Sequence, residues 1–379
     1  MERPIVTSTA ETYGLTEDRL TALGQELDAL RAEVADDLGS VDVAYIRRVI
    51  RVQRWSEILG RATLYLGFLP PFWLLGTGAL ALSKILDNME IGHNLLHGQY
   101  DWTGNQELSS TSLDWDSSCP TEGWKRYHNF VHHTFTNITD KDRDLGYGVI
   151  RISPQTPWRP SNLGNPLYAA GLALVFDYGI MLHDVDMGQV RRGERTKAEA
   201  KQSLRDGLRK SGRLAFRDYI MWPALTGPLF ISTLAANAAA NVIRNVWAFI
   251  IIFCGHFPHG TAEFTEKECE EESRGHWYFR QMLGSANISG RRLFHVMSGN
   301  LSFQIEHHLF PDLPSRRYKQ IAPRVQAICA RYGIPYNTGR LSRQFSSVIL
   351  KIIRHAFPSR PIDTGRPPTA TRPVELVAA

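Results

Sequence analysis

Long uncharged stretches alternate with strongly charged ones along this chain. Residues 62–83 contain no Asp, Glu, Lys or Arg, and Pro70-Pro71 interrupts them. Because proline disrupts a helix, this block predicts a helical hairpin, with a short first arm and a second arm from Phe72 through His97. At 1.5 Å per residue the second arm is roughly 39 Å long, which exceeds a bilayer core of about 30 Å. Its polar end is therefore expected to project into water.

A second pair of apolar arms is predicted over residues 219–235 and 238–255. Asparagines recur four residues apart in the later arm, and Arg244 lies beside them. A charge facing lipid is costly, so Arg244 is expected to face the bundle or to extend towards the membrane surface. The two pairs predict an all-α integral membrane fold with about four transmembrane helices in two hairpins.

The remaining segments are expected to lie at the membrane surface or in the cytosol. Residues 15–58 show leucines at helical spacing and predict an amphipathic helix. Residues 164–183 are apolar but contain an aspartate, and residues 191–217 are rich in Lys and Arg. Basic segments favour the cytosolic side, which is consistent with an interfacial 164–183 that does not cross the membrane. The expected localisation is a bacterial inner membrane, with several crossings.

Three regions are predicted from these patterns. They are a cytosolic N-terminal region over 1–58, a membrane domain over 59–355 and a disordered Pro-rich tail over 356–379. The N-terminus lacks the apolar core of a signal peptide, so internal segments are expected to bring the chain into the membrane. The net charge of +5 suits anionic lipid or acidic partners, and nucleic acid is not an expected partner. The four cysteines form no Cys-x-x-Cys pair.

The 13 histidines carry the strongest chemical signal. Two clusters place imidazoles four residues apart, on one face of a helix. A third cluster is Gln304-Ile-Glu-His-His, and one further histidine ends the last apolar arm. The predicted topology brings all of them to one, cytosolic side of the membrane. The eight imidazoles are His93, His97, His128, His132, His133, His256, His307 and His308.

So many imidazoles at one polar edge indicate a metal site. Imidazole binds Zn, Cu, Fe and Ni, so the ligand type leaves the metal open. Eight ligands exceed what one zinc ion takes and fit two metal ions with free positions for oxygen. The motif of zinc proteases, His-Glu-x-x-His, is missing, because Asn-Leu-Leu separates His93 from His97.

The three clusters resemble the histidine boxes of membrane fatty acid desaturases. The matching phrases are Gly-His-Asn-Leu-Leu-His-Gly, His-Asn-Phe-Val-His-His and Gln-Ile-Glu-His-His-Leu-Phe-Pro, and the resemblance covers about residues 45–355. The flanking segments are similar to those of bacterial acyl-CoA desaturases. The resemblance implies a helical membrane fold with a cytosolic cap, two irons and an acyl channel. It also implies that the eight histidines bind the irons, His256 being the extra ligand at the end of the last membrane helix.

Two positions depart from the family pattern, and several neighbours are further candidates. Gln304 stands where many members have a histidine, so one iron could be bound through water or by this amide. His259 has no clear counterpart and is a weaker candidate ligand. Glu306 either orients an imidazole or is an exposed carboxylate. Asp140, Asp142 and Asp144 either accept hydrogen bonds from ligands or form a solvated loop. Trp124 either lines a channel or anchors the chain at the interface.

The chemistry implied by the resemblance is O2-dependent removal of two hydrogens from a long acyl chain, which leaves a cis double bond. A cofactor must break the unactivated C–H bonds. The chain carries no nucleotide fingerprint and no haem or iron–sulfur motif, so an external donor such as a ferredoxin with its reductase is expected. The expected partners are therefore acyl-CoA, this donor and membrane lipid.

Two other functions use the same residues. A hydroxylase of alkanes or acyl chains would share the boxes and would add oxygen to the substrate. A membrane metal transporter would place its ligands near the bilayer midplane, whereas these lie at helix ends. The third box and its flanking residues favour desaturation.

Overall fold

The computed structural model describes residues 9–358 and is built almost entirely of helices. The predicted tail over 356–379 therefore lies largely outside the described residues. The α-helices, in chain order, are α1 Thr9–Thr12, α2 Glu17–Asp36, α3 Ser40–Thr63, α4 Pro70–Ile85, α5 Asn94–Leu96, α6 Thr121–Trp124, α7 His133–Phe135, α8 Asn165–Leu174, α9 Phe176–His183, α10 Met187–Arg192, α11 Lys197–Phe216, α12 Trp222–Leu225, α13 Phe230–His256, α14 Arg274–Gly284, α15 Arg292–Met297, α16 Gln304–Leu309, α17 Tyr318–Tyr332 and α18 Leu341–Ala356.

Shorter elements connect these helices. Two strands, β1 Asn287–Ser289 and β2 Thr338–Arg340, pair in parallel. Three π-helical segments span Leu86–His93, Lys125–His132 and Arg217–Met221. The 3₁₀ turns are Leu64–Leu66, Asp101–Thr103, Gln106–Leu108, Gly146–Gly148, Pro160–Gly164, Gly227–Leu229, Glu266–Cys269, Leu301–Phe303 and Ser315–Arg317.

The first predicted hairpin is present, with a longer first arm than the apolar block indicates. Its first arm is α3, which starts at Ser40 and ends at Thr63. This helix runs through residue 58, and the predicted domain boundary at that residue stays a prediction. The second arm begins at Pro70, where a proline is tolerated in the first helical turn. It continues through the π-helical segment and α5 to Leu96 without a break. This confirms the predicted long second arm.

The second hairpin turns at a different place from the predicted one. The helix α13 is continuous from Phe230 to His256, so the predicted break between residues 235 and 238 is wrong. The turn lies at Thr226–Leu229, where Gly227 adopts a φ of 56°. The Asn237 side chain does not end the helix, because it accepts a hydrogen bond from Arg61 and donates one to the carbonyl of Asp218.

The two hairpins pack against each other as a four-helix stem. α4 packs against both α3 and α13, and α12 packs against α13. The two turns also touch, since Trp73 Nε1 donates to the carbonyl of Ser232 at 3.0 Å and Ser232 Oγ donates to that of Gly67 at 3.1 Å. As expected, Arg244 faces the bundle, where it donates to the carbonyl of Asp116 at 3.0 Å.

One helix of the described residues, Gly227–His256, is by itself long and apolar enough to cross a membrane. Residues 164–183 do not form one straight helix, because Pro160–Leu174 and Phe176–Arg192 meet at an angle of 94°. The structure therefore bears out the all-α class, while the number of membrane crossings stays a proposal.

The remaining helices form a cap on the stem. The leucines of α2 predicted to lie on one face, among them Leu20 and Leu27, are buried against α14 and α17. Gly275 of α14 sits directly on this face: a Cβ there would lie 1.9 Å from the carbonyl oxygen of Leu20. Because Gly275 has no side chain, α2 and α14 can approach closely and pack against each other in the cap.

Candidate metal centre

The eight histidines predicted from the sequence meet at the junction of stem and cap. Four different parts of the chain supply them: the end of the first hairpin, the second π-helical segment with α7, the last residue of α13, and α16. All eight are wholly or largely buried. Among the described residues, potential ligand atoms form four groups within each of which they lie within 4.8 Å of one another, and two of these groups together contain seven of the eight histidines. These are His93, His97, His128 and His307, and His132, His256 and His308, with His133 beside both His307 and His308.

Two of the π-helical segments carry the first two boxes. In a π-helix the hydrogen bond runs from residue i to residue i+5, and such segments are frequent at functional sites. His93 ends the first segment, and the Nε2 atoms of His93 and His97 lie 3.1 Å apart. His128 and His132 lie within the second segment, with their rings stacked at a centroid distance of 5.1 Å.

Three of the imidazoles are held by an acceptor at Nδ1. His132 Nδ1 lies 3.1 Å from both carboxylate oxygens of Asp142. His308 Nδ1 lies 2.9 Å from Gln281 Oε1, whose own amide donates to the carbonyl of His133. These contacts place a proton on Nδ1 of both rings, so that Nε2 is the nitrogen of each ring that is available to a metal ion.

The third imidazole that is held at Nδ1 belongs to His307, whose Nδ1 lies 3.3 Å from the hydroxyl of Tyr318. That hydroxyl donates to the carbonyl of Phe310 and accepts from Gln99, so it acts as acceptor towards the imidazole. His307 Nε2 is thereby left free and points at His93 Nε2, 3.2 Å away. An oriented Nδ1–H with a free Nε2 is the arrangement of a metal-binding histidine.

The free nitrogens are the observation that a bound metal explains. Among the described residues, buried nitrogens with no hydrogen-bond partner include Nε2 of His128, His132 and His308 and both ring nitrogens of His133. Buried polar atoms left without partners are costly, so a cluster of them needs a ligand. A set of neutral imidazoles is the chemistry that iron accepts, and the residues present fit two such ions.

Electrostatics keep most of these imidazoles neutral. Burial, together with the neighbouring imidazoles, holds the pKa of His133, His307 and His308 well below the usual value. His132 differs: burial lowers its pKa, but the carboxylates of Asp142 and Asp144 outweigh this and raise it to about 9. A metal ion would replace a proton at His132 and take over the pairing with these carboxylates.

The further candidate residues separate into two sets. Gln304 is buried, and its Nε2 lies 3.1 Å from His256 Nε2, while its Oε1 is unpaired. Gly255 leaves room for this amide, because a Cβ there would lie 2.9 Å from it. In contrast, His259 and Asp140 are exposed and lie outside the groups of potential ligands.

Glu306 is fully buried, so the alternative in which it is an exposed carboxylate is wrong. It contacts no imidazole: it accepts hydrogen bonds of 2.8 Å from Asn287 and from the hydroxyl of Tyr336. Burial raises the pKa of Glu306 to about 7. This carboxylate therefore ties the third box to β1 and to the segment before β2.

The sequence interpretation missed three residues next to the cluster. Gln281 and Tyr318 orient two imidazoles, and nothing in their local sequence indicates it. His183, which lies in none of the three boxes, is buried and places Nδ1 3.1 Å from Asp144, a carboxylate that also lies 3.5 Å from His132 Nδ1. The remaining histidines lie elsewhere, His276 near Glu17, His295 against Ser302 and His355 near Arg151.

A narrow cavity of about 40 Å³ adjoins the imidazoles. His93, His128 and His256 form one wall. The rest is largely apolar and aromatic, with Met89, Trp115, Trp124, Tyr147, Ile252 and Leu301 among the lining residues. Trp124 thus lines this cavity, stacked on His128 at a centroid distance of 4.3 Å. Its lining is therefore suited to small apolar groups beside the imidazoles.

This fold and this histidine cluster define an oxidoreductase of the fatty acid desaturase family, to which the chain belongs. The family model described as fatty acid desaturase matches residues 51–340. The chain is 43% identical over 350 residues, 91% of its own length and 82% of the relative's, to a protein of Mycobacterium tuberculosis named NADPH-dependent stearoyl-CoA 9-desaturase. These matches confirm the resemblance to bacterial acyl-CoA desaturases.

More distant relatives belong to the same family. The chain is 24% identical over 341 residues, 86% of its length and 93% of the relative's, to the sn-1 linoleoyl-lipid 6-desaturase of Synechocystis. It is 30% identical over 136 residues to the fatty acid desaturase 3 of Bos taurus, covering 36% of this chain and 27% of that one. The names of these relatives favour desaturation over hydroxylation.

Proposed function

We propose that this protein introduces a cis double bond into the chain of a long fatty acyl-CoA, using O2 and two irons. The carrying observation is the convergence of eight buried imidazoles, three of which are held by an acceptor at Nδ1 and several of which have a buried ring nitrogen without a partner. The similarity to the mycobacterial stearoyl-CoA desaturase supports the choice of acyl-CoA as substrate. It also supports an electron supply that begins with NADPH, delivered by a separate donor such as a ferredoxin with its reductase.

The eight histidines are proposed as the iron ligands. His93, His97, His128 and His307 would hold one ion, and His132, His256 and His308 the other. His133 lies between the two sets. The Gln304 amide, next to His256, is proposed to bind the second iron directly or through water. When bound, the irons supply the activation of O2 that breaking an unactivated C–H bond requires.

The residues of the chain itself position the substrate and exclude water. The aromatic and aliphatic wall of the narrow cavity holds the acyl chain against the imidazoles. Trp115 and Trp124, whose rings meet edge to face at 5.4 Å, form a rigid part of this wall. Burial of all the ligands keeps bulk water from the reacting carbons, which favours hydrogen removal over side reactions.

The stem is proposed to cross the membrane as four helices in two hairpins, with the cap and the metal centre on the cytosolic side of a bacterial inner membrane. Large apolar side chains exposed on the stem near its turns support this, including Trp55, Ile58, Phe68, Leu74 and Ile231. An apolar surface of this kind marks contact with lipid. The bent α8–α9 pair is proposed to lie in the interface, with Leu167 and Leu182 exposed to lipid.

Product analysis tests the proposal. The chain, expressed in a bacterial host with a ferredoxin and its reductase, should yield a new monounsaturated fatty acid, two hydrogens lighter than its precursor by mass spectrometry. The His132→Ala variant should yield none while it still inserts into the membrane. A product heavier by one oxygen would instead identify a hydroxylase, and iron uptake without oxygen consumption would identify a transporter. Purified protein without bound iron would contradict the metal assignment.

Asp142→Asn tests how the ligand His132 is held. The amide removes the charge beside Nδ1 and places a donor where the carboxylate accepts from the backbone N–H of Asn137 and of Asp144. Losing such a partner typically costs about 10–100-fold in metal affinity or activity. We expect a loss of that size in iron retained against a chelator.

Asp140→Asn is the matched control, because this carboxylate is exposed two residues away. Its iron retention should equal that of the wild type. Equal retention in the Asp142 and Asp140 variants would show that the carboxylate does not support the metal centre.

A further inference from the structure

One buried histidine outside the three boxes reaches the metal centre through a carboxylate. His183 is the last residue of α9, the second helix of the bent α8–α9 pair. Its ring stacks on Tyr147 at a centroid distance of 4.4 Å and meets Tyr127 edge to face at 4.9 Å. These two aromatic contacts restrict the orientation of the imidazole, so its nitrogens point in defined directions.

The carboxylate of Asp144 joins His183 to the proposed ligand His132. His183 Nδ1 lies 3.1 Å from Asp144 Oδ1, and His132 Nδ1 lies 3.5 Å from Asp144 Oδ2. All three side chains are buried. Because a carboxylate oxygen accepts hydrogen bonds, Nδ1 of His183 is the donor in its contact with Asp144. Each oxygen of this carboxylate thus faces a different imidazole.

The Asp144 carboxylate has a competing position. It forms one of the groups of potential metal ligands together with His128 and His132, whose ligand atoms lie within 4.8 Å of one another. Iron accepts carboxylate oxygen as well as imidazole nitrogen. The hydrogen bond from His183 engages Oδ1 on the side away from His132. It therefore favours the position in which the carboxylate supports His132 over the one in which it binds a metal ion.

A second contact fixes the end of α9 against the segment that carries Asp144. Arg143 Nη1 donates to the carbonyl of His183 at 2.8 Å and lies 3.3 Å from the carboxylate of Asp186. Residues 143 and 144 thus both bind the end of α9, one to its main chain and one to the His183 imidazole. This double attachment keeps His183 within hydrogen-bond distance of Asp144.

His183 is not itself among the potential ligands. Within residues 9–358 it belongs to none of the groups of side chains that could hold a metal ion. Its Nε2 is buried without a partner, and the residue lines the narrow cavity beside the imidazoles. Any effect of His183 on a metal ion must therefore pass through Asp144.

We propose that His183 is a positioning residue of the metal centre, which holds Asp144 as an acceptor for His132 and keeps this carboxylate from binding the metal. The proposal rests on the proposed function in taking the metal as iron. Partners of a ligating imidazole fix its orientation and strengthen metal binding. His132 belongs to the proposed set with His256 and His308, so His183 acts on that ion and not on the other one.

Iron release tests this role. The full-length protein in detergent is loaded with two equivalents of Fe(II) without oxygen, and ferrozine is added to follow the release of iron with time. His183→Leu removes the donor to Asp144. His183→Asn keeps an amide N–H near the position of Nδ1.

His355→Leu is the matched control for the loss of a buried imidazole. His355 is buried, and its carbonyl accepts from Arg151 as that of His183 accepts from Arg143. Within the described part of the chain it belongs to none of the groups of potential ligands. A thermal melt of each variant shows that the released iron comes from folded protein.

We expect His183→Leu to release one of the two irons about 10-fold faster than the wild type and the other at nearly the wild-type rate. His183→Asn should release both irons within about threefold of the wild type, because the amide restores the donor. The control should release iron as the wild type does. Unchanged release from His183→Leu, faster release of both irons, or the same acceleration in the control would overturn the proposal.

A double-mutant cycle separates positioning from general packing. Asp144→Ala should accelerate release of the same iron. Adding His183→Leu to it should change the rate by less than about twofold, because residues that act through one another are not additive. A further acceleration of about 10-fold in the double variant would show that His183 acts independently of Asp144 and would contradict the proposed role.

Fatty acid profiling of the same proteins keeps this test apart from the proposed function. A wild type that binds two irons and forms no unsaturated product would contradict the proposed reaction, and the rates of iron release would still decide the role of His183. A wild type that desaturates, together with a His183→Leu variant that retains both irons, would do the reverse.

Discussion

Replacing His307 with Ala is expected to abolish desaturation and to lower the iron content of the purified protein. Its Nε2 lies 3.2 Å from that of His93, and the His307 ring is also close to His133. Among the groups of potential ligands, His307 belongs to two. Its loss therefore removes a ligand of one proposed ion and a neighbour of His133, which lies between the two proposed sets. We expect a drop in product of at least about 100-fold, larger than that for a supporting residue.

Iron analysis and fatty acid profiling of the same preparation measure this effect. His259→Ala is the matched control, since His259 is an exposed imidazole beyond the end of α13 that belongs to none of the groups. The control should retain iron and full product formation. The His307 variant should still fold, because Tyr318 keeps its hydrogen bonds to Gln99 and Phe310. Normal product from the His307 variant would refute the ligand assignment.

The second large effect concerns stability rather than chemistry. Asp218 is buried within the stem, 2.7 Å from Lys84 Nζ and 2.9 Å from Arg217 Nε, and Arg61 lies 3.5 Å away. Removing one partner of a buried ion pair leaves the other charge uncompensated and costs about 3–5 kcal/mol. Asp218→Asn leaves three cations around a neutral amide. We expect the apparent melting temperature to fall by on the order of 10 °C.

A thermal melt of the detergent-solubilised protein measures this loss. Asp206→Asn is the control, because Asp206 lies one helix earlier and, within residues 9–358, its carboxylate accepts hydrogen bonds from the side chain of Gln202 alone. It should melt within about 1 °C of the wild type, as surface substitutions usually do. If the Asp218 variant melts with the control, the buried network contributes little and Lys84 finds sufficient compensation in Asp116, 3.0 Å away.

These two variants separate the roles of the charged and the imidazole groups. The ionic network joins α3, α4 and the π-helical segment Arg217–Met221 within the stem, and asparagines of α13 hydrogen-bond to it. The imidazoles lie at the end of the stem. A stem variant is expected to reduce activity only as far as it reduces the folded population. A ligand variant is expected to reduce activity in a protein that melts near the wild type. Measuring both properties on both variants therefore distinguishes the metal centre from its scaffold.

Sequence alone determined the class of fold and most of the site. Helical periodicity placed the leucines of α2 on the buried face, since a period of 3.6 residues is a local property of the chain. The spacing of four residues put His93 with His97 and His128 with His132 on single faces for the same reason. Family resemblance then joined three distant boxes into one site. In each case the information lies in neighbouring residues or in a motif.

Only the tertiary structure decided which groups surround these histidines. Gln281 and Tyr318 act on imidazoles 27 and 11 residues away, and neither lies in a motif. The second hairpin turns at Thr226–Leu229 and not near Asn237, whose side chain accepts from Arg61 and donates to the carbonyl of Asp218 inside the stem. Local propensity cannot anticipate these partners. Such contacts depend on how helices pack, and that packing is a property of the whole chain.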